Sequence, residues 1–525
     1  MTQTHSCVYS LFAIRYFTAL VFDLSPDLDY ELEGQTIHTH YVFVEAETES
    51  DDDDDDLPLI YWTNGGPGAS SLFGLLTEIG PLLLSDESLT TESYRQTGIP
   101  TPTYNPYTWS RLGSMLIIDQ PAPVGFSYCN NNDGIENVTT HSCGGIAWTD
   151  ELASINAYTA LQTFFKTRFP CLATKPLYLT GESYGGIYVP TLARRIVEGN
   201  ANANKNNNIN NDNDDVALDL RGFAVGDGCL GTETSMCGGL GSSAGFVDYW
   251  HLWFMAGHHQ MPLDDFRAVM KACSHSHDTG FKDDLCEEAL AMAKKEIGGF
   301  FEYALYDECT YRNGLKWKQR LGLDTLYNHE NNHLHGALND YPCGAGPVLE
   351  QYMALGDTIQ NAFHVKSTFF EVDNAEGDFD YTPTEPDLEP FYKDMNGKLK
   401  ILVYNGDTDP AITSFATQNW TSHLGFEEAK DGSWRPWTTD GCRNMGGYVQ
   451  RYEGGFDFLT IRGAGHMVPT YKPEASFAFL KAWLSDEEYP PFDANCTQPP
   501  ARTTTQKAQA SNVEFAIVEG DIRTQ

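Results

Sequence analysis

The sequence predicts an α/β fold: a largely parallel central sheet with helices on both faces and an inserted helical cap. Two observations carry this reading. Short apolar runs alternate with helical patterns along most of the chain, which is the rhythm of strand, crossover helix, parallel strand. One block, from about Phe246 to Asp340, breaks that rhythm, being helical, aromatic and Cys-bearing without clear strands.

In chain order, His38-Thr-His-Tyr-Val-Phe-Val-Glu and Leu57-Pro-Leu-Ile-Tyr-Trp read as strands, with the run Asp51 to Asp56 as an expanded hairpin loop between them. Ser114-Met-Leu-Ile-Ile-Asp119 reads as a buried strand, and Glu151 to Phe165 as a helix with apolar positions at Leu152, Ile155, Leu161, Phe164 and Phe165. Then come the strand Leu177-Tyr-Leu, a helix through Leu192 to Val197, and the strand Phe223-Ala-Val. The strands Leu399 to Tyr404 and Phe456 to Ile461 follow, and Ala475 to Leu484 is a helix. The expected organisation is an atypical leader at 1–20, a first core part at 21–240, a cap at 241–345, a second core part at 346–490 and a flexible tail at 491–525. The Asn-rich stretch Asn200 to Asp215 is low-complexity and reads as a disordered surface loop.

Charge excludes some functions. With 33 Lys plus Arg against 73 Asp plus Glu, the net charge is −40. Nucleic-acid binding by phosphate neutralisation needs clustered basic charge, and an anionic membrane would repel this chain. No run of eighteen apolar residues exists, so no membrane span is expected. The 12 cysteines, with sequons at Asn137, Asn419 and Asn495, favour a disulfide-bonded protein of the secretory pathway. Vacuole, lysosome or the extracellular space is the expected destination, although Arg15 interrupts the apolar start and no clean cleavage site follows.

The chemistry begins at Gly181-Glu-Ser183-Tyr-Gly185, which matches the G-x-S-x-G elbow. A strand turning sharply into a helix holds the serine in strained geometry, and bulky neighbours would clash there. Gly241-Ser-Ser243-Ala-Gly245 fits the same pattern but has no strand before it, so Ser183 is the candidate nucleophile. A serine nucleophile needs a base, an orienting carboxylate and oxyanion donors. In an α/β-hydrolase these follow the serine in the order acid, then His, each beyond a strand. Asn405-Gly-Asp407-Thr-Asp409 follows one strand and Arg462-Gly-Ala-Gly-His466 another. His466 is the candidate base. Asp407 and Asp409 both qualify as the acid, and Asp409 stands at the more usual offset. The Tyr184 N–H and the early loop Asn64-Gly65-Gly66-Pro67-Gly68 are the candidate oxyanion donors.

Taken together, Trp62-Thr-Asn-Gly-Gly-Pro-Gly-Ala-Ser-Ser71, Asp119-Gln-Pro with Gly125-Phe-Ser-Tyr128, Gly181 to Pro190, Gly406-Asp-Thr-Asp409 and Gly463-Ala-Gly-His-Met-Val-Pro469 resemble the serine carboxypeptidases, over roughly Val21 to Tyr489. The resemblance implies an α/β-hydrolase fold with a helical cap that removes single residues from peptide C-termini and needs no cofactor or metal. It places a catalytic triad on Ser183, Asp409 and His466, and an oxyanion hole on the N–H groups of Gly66 and Tyr184. It places substrate-carboxylate binding on Trp62, Asn64, Gly65, Glu78 and Glu182, and contact with the leaving residue on Met467. Peptide and protein C-termini are the implied partners, and homodimerisation stays open. Two departures stand out. Ala69 occupies a usual half-cystine position, so that disulfide cannot form, and Asp227 replaces the usual Asn. Within the cap, Cys273 with Cys286 is the locally favoured pairing.

Two other chemistries compete. His329-Glu-Asn-Asn-His333 matches the H-E-x-x-H zinc-protease pattern, but its surroundings are polar and poor helix formers. Acyl transfer to an alcohol would use the same triad on the same scaffold. The Asn64, Glu78 and Glu182 set favours a peptide carboxylate.

Overall fold

The computed structural model describes residues 22–23, 28–47, 57–130, 143, 146–205, 215–234, 236, 249–273, 284–307, 342–356 and 379–496, with isolated positions between 357 and 378. The expected leader, the Asp run, Asn137, the second elbow at Ser243, the His329–His333 pattern and the chain beyond residue 496 lie outside the described residues.

Ten strands form the central sheet: β1 (Phe22–Asp23), β2 (Tyr41–Val44), β3 (Leu59–Thr63), β4 (Ser114–Ile118), β5 (Leu177–Glu182), β6 (Leu220–Gly226), β7 (Lys400–Gly406), β8 (Arg435–Thr438), β9 (Met445–Tyr452) and β10 (Phe456–Ile461). Their spatial order is β1-β2-β4-β3-β5-β6-β7-β10-β9-β8. The six strands from β4 to β10 in that order run parallel, and two antiparallel strands close each edge. The expected hairpin around the Asp run is therefore corrected: β4 lies between β2 and β3, antiparallel to one and parallel to the other. Local patterning marks both strands but carries no signal for a partner that arrives later in the chain.

The inner strands read as continuous apolar runs because both faces are covered. Successive side chains alternate between two cores. Leu59, Tyr61, Leu116, Ile118, Ile401 and Val403 enter one cluster, and Ile60, Trp62, Met115, Ile117, Leu402 and Tyr404 enter the other. Each such burial is worth about 1.5–3 kcal/mol relative to exposure. Helices α1 (Leu72–Thr77) and α8 (Pro473–Leu484) cover the second face, while α2 (Asp150–Thr163), α3 (Gly185–Lys205) and α7 (Ser414–Ser422) cover the first. Helix α2 starts where Thr149 accepts the Leu152 N–H, with Asp150 and Glu151 against the positive end of the helix dipole.

The inserted block supplies α4 (Tyr249–Gly257), α5 (Leu263–Ala272) and α6 (Asp284–Ile297). They share a small core of Leu252, Phe266, Val269 and Leu290, and the Cys273–Cys286 disulfide ties α5 to α6. The helix Pro342–Met353 crosses the expected boundary at 345 and buries Val348 and Leu349 in the second core cluster. Two further expectations change. Asn200 to Lys205 continues α3 instead of opening a loop, because the Asn200 amide pairs with both backbone groups of Leu218 at 2.8 and 2.9 Å. The tail does not loosen at 491, since Asp493 N–H donates to Cys442 and the Cys442–Cys496 disulfide pins the strand end.

Candidate active site

Strands β5, β6, β7 and β10 are neighbours, and their C-terminal ends converge on one edge of the sheet. Ser183 follows β5 at once and sits at φ 60°, in the left-handed region that costs a non-glycine residue strain. Its turn is held from both sides: Ser183 N–H donates to Gly226, while Gly186 and Cys229 N–H donate to the Ser183 carbonyl. Glycines are required around it, because a Cβ at Gly186 would lie 2.3 Å from the Cys229 carbonyl oxygen.

The loop after β7 carries both candidate acids, and they face different groups. Asp409 is fully buried, and its carboxylate accepts the Ala411 and Ile412 N–H groups. His466 Nδ1 lies 2.8 Å from Asp409 Oδ2, which leaves the buried Nε2 without a hydrogen-bond partner. Asp407 instead accepts the Gly463 N–H at 2.5 Å and so joins the acid loop to the histidine loop. The cap reaches these loops too. His466 N–H donates to the Tyr303 carbonyl, Leu305 N–H donates to the Thr408 carbonyl, and the Tyr303 ring packs 4.8 Å from the imidazole.

Against the elbow lies the loop Asn64 to Gly68. A Cβ at Gly65 would sit 2.3 Å from Tyr184 N and 2.7 Å from Ser183 Cβ, so only glycine lets the two backbones meet. Asp119 braces the loop from beneath by accepting from Ser70 Oγ and Ser71 N–H, with Phe126 N–H and His40 on its other oxygen. Gly125 is needed for this, as a Cβ there would lie 2.1 Å from that carboxylate. Tyr184 is anchored in turn: its hydroxyl donates to buried Asp150 at 2.7 Å, alongside Tyr381 OH and the N–H groups of Thr384 and Glu385.

Beside the elbow, Asn64 joins two acids. Its Nδ2 donates to Glu78 Oε1 at 3.2 Å and to Glu182 Oε1 at 2.9 Å, while its Oδ1 accepts from Trp62 Nε1 and Gly74 N–H. Both carboxyl groups are buried and within hydrogen-bonding reach of each other, and no other donor serves the second oxygen of either. Burial pushes Glu78 up to about 7, against the pull of the Asn64 amide and His466. Burial and the nearby Glu78 push Glu182 well above the carboxylate range. Two such groups cannot both ionise cheaply, so the pair holds at least one proton at neutral pH. Met467 follows His466, is buried, and starts the short helix Val468–Tyr471.

The matching family model is that of the serine carboxypeptidases, and it spans residues 29–486. The chain belongs to the serine carboxypeptidase family. This carboxypeptidase is 30% identical to serine carboxypeptidase-like 31 of Arabidopsis thaliana over 445 residues, covering 83% of this chain and 81% of the relative. It is 29% identical to the lysosomal protective protein of Mus musculus over 459 residues, covering 82% of this chain and 85% of the relative. The crystal structure of Kex1, a prohormone-processing carboxypeptidase from Saccharomyces cerevisiae, superposes with a TM-score of 0.58 at 20% identity. That match covers 89% of this chain and 95% of the other, and it shows the α/β-hydrolase fold. The activity is that of a serine-type carboxypeptidase.

Sequence reasoning missed three side chains that bear on this site. Tyr303 against His466 comes from the cap, whose approach no local pattern announces. Asp150 under Tyr184 stands one residue before the expected helix Glu151 to Phe165, and its spacing gives no sign of this contact. Asp227 was noted only as a departure, although its place in Gly226-Asp-Gly directly after a strand is itself a signal of a loop near the site.

Proposed function

We propose that the carboxypeptidase releases single C-terminal residues through an acyl-enzyme on Ser183, with His466 as base and Asp409 orienting it. The observation that carries this is the buried His466–Asp409 pair, whose unpartnered Nε2 stands at the strand edge where the Ser183 elbow also ends. Nε2 takes the Ser183 hydroxyl proton as Oγ attacks the scissile carbonyl, then gives it to the leaving amine, and water repeats the cycle on the ester. The N–H groups of Gly66 and Tyr184 receive the oxyanion, supported by the close packing of Gly65 on Tyr184.

The substrate carboxylate docks on the protonated Glu78–Glu182 pair, with Asn64, Trp62 and the Gly65 backbone completing that end and Met467 against the leaving side chain. A protonated carboxyl donates to an anion where a carboxylate would repel it. This set favours peptide ends over acyl transfer to an alcohol, and it makes hydrolysis an acid-side reaction.

Disulfides Cys129–Cys143, Cys273–Cys286 and Cys442–Cys496 support passage through the secretory pathway. Vacuole, lysosome or the extracellular space is the destination that fits. Asn419 is partly exposed and Asn495 exposed, as glycan acceptors must be. No helix among the described residues is long and apolar enough to cross a membrane. The test is a panel of blocked dipeptides with wild type and Ser183→Ala. Release of the C-terminal residue should require Ser183 and a free carboxylate; equal cleavage of C-terminal amides would overturn the reading.

A further inference from the structure

Behind the His466–Asp409 pair stands a second buried acid. Asp227 lies one residue past β6 at φ 42°, and this left-handed turn aims its carboxyl at the end of β7. Asp227 and Asp409 are both fully buried, and carboxylate oxygens of the two acids and an imidazole nitrogen of His466 all lie within 4.8 Å of one another.

The donors around the two acids are unevenly shared. Asp409 takes the Ala411 and Ile412 N–H groups and faces His466. Asp227 Oδ1 takes Asn405 Nδ2 at 3.0 Å and Gly406 N–H at 2.9 Å, and Oδ2 has only a longer share of that same Gly406 N–H, at 3.2 Å. One imidazole cannot balance two buried carboxylates in contact, so one of them carries a proton. Asp409, with the imidazole and two amides on it, is the one served as an anion. Asp227 Oδ2 is the oxygen with room for the proton.

We propose that Asp227 is a positioning residue of the catalytic site: its carboxyl stays protonated and donates a hydrogen bond to Asp409, fixing that carboxylate against His466. The surroundings agree. Burial and the facing Asp409 push the Asp227 carboxyl well above the usual range and Glu182 adds to this, against the pull of the Gly406 N–H. Burial and the nearby Glu182, Asp227 and Glu78 likewise push the Tyr404 hydroxyl well above its usual range, so it too stays neutral. Loss of the Asp227 proton at high pH sets two like charges in contact and loosens Asp409 from the imidazole.

This rests on the Ser183, His466 and Asp409 reading, so each protein is first titrated with a fluorophosphonate. Wild type that fails to label would overturn that reading instead. Two variants suit the left-handed backbone: Asp227→Asn keeps a neutral donor, and Asp227→Gly removes it without strain. Rates are then measured against pH on a blocked ester lacking a free carboxylate, so that Glu78 and Glu182 do not enter. Asp227→Asn should keep kcat/KM within about threefold of wild type and carry its alkaline decline to higher pH. Asp227→Gly, at full fluorophosphonate stoichiometry, should lose about tenfold or more. Equal losses in the two variants, or an alkaline limb unmoved in Asp227→Asn, would overturn the proposal. So would wild-type rates in Asp227→Gly.

Discussion

A Cβ added to Gly65 would lie 2.3 Å from the backbone nitrogen of Tyr184, inside any tolerated contact. The glycine is thus the spacing element between the loop after β3 and the elbow after β5, and that spacing would set the geometry of the oxyanion hole proposed on the Gly66 and Tyr184 N–H groups. Gly65→Ala should lower kcat by about 10²-fold or more, the scale of losing one oxyanion donor. The clash should also cost about 1–3 kcal/mol of stability, so kcat is read well below the unfolding temperature of the variant. Unchanged kcat would mean that the oxyanion is held elsewhere.

Asp407 and Asp409 sit two residues apart and face different groups, the Gly463 N–H and the His466 imidazole. Asp409→Asn removes the charge that steadies the imidazolium and should cost about 10⁴-fold in kcat. Asp407→Asn keeps an acceptor for the Gly463 N–H and should cost less than about tenfold. Single-turnover acylation measures both, and the reverse ranking would move the triad acid to Asp407.

Asp150 satisfies four donors at once, two hydroxyls and two backbone N–H groups. Asp150→Ala strands them in the interior, where each orphan costs about 1–3 kcal/mol, so a loss near 4 kcal/mol is expected after relaxation. Denaturant unfolding reports it. Because Tyr184 loses its anchor, kcat should fall even at temperatures where the variant is folded.

Much of this was legible in the sequence, for a physical reason. Strands buried on both faces, such as Leu59 to Thr63 and Lys400 to Gly406, write themselves as apolar runs, and each gives way to a polar turn with glycine at or near the strand end. Pairing was not legible. Nothing around Tyr41 to Val44 foretells that Ser114 to Ile118 will insert beside it. Side-chain encounters across the sheet were equally hidden, because Asp227 meets Asp409 only once β6 and β7 lie side by side. Asn200 misled through composition: an Asn-rich run suggested disorder, but its first amide is used to fasten α3 to the chain entering β6.

Substrate binding should depend on pH through Glu78 and Glu182, with a sign fixed by the direction of their shifts. Both carboxyls are raised, so both hold protons on the acid side and release them as pH climbs. The peptide carboxylate is an anion above about 3.5. Between that value and the approach to about 7, where Glu78 is half ionised, anion meets mostly neutral donors and KM should be lowest. Above about 7 each lost proton places a negative charge beside the substrate carboxylate, and KM should rise steeply, whereas kcat does not fall on account of His466, which acts as base when neutral. Esters and amides without a free carboxylate should escape the rise. Glu78→Gln supplies a permanent neutral donor, so its KM for free-acid peptides should climb later than that of wild type. Profiles of KM against pH for one peptide and its amide, in both proteins, decide the matter: superimposable curves for the two substrates would refute the shared-proton site.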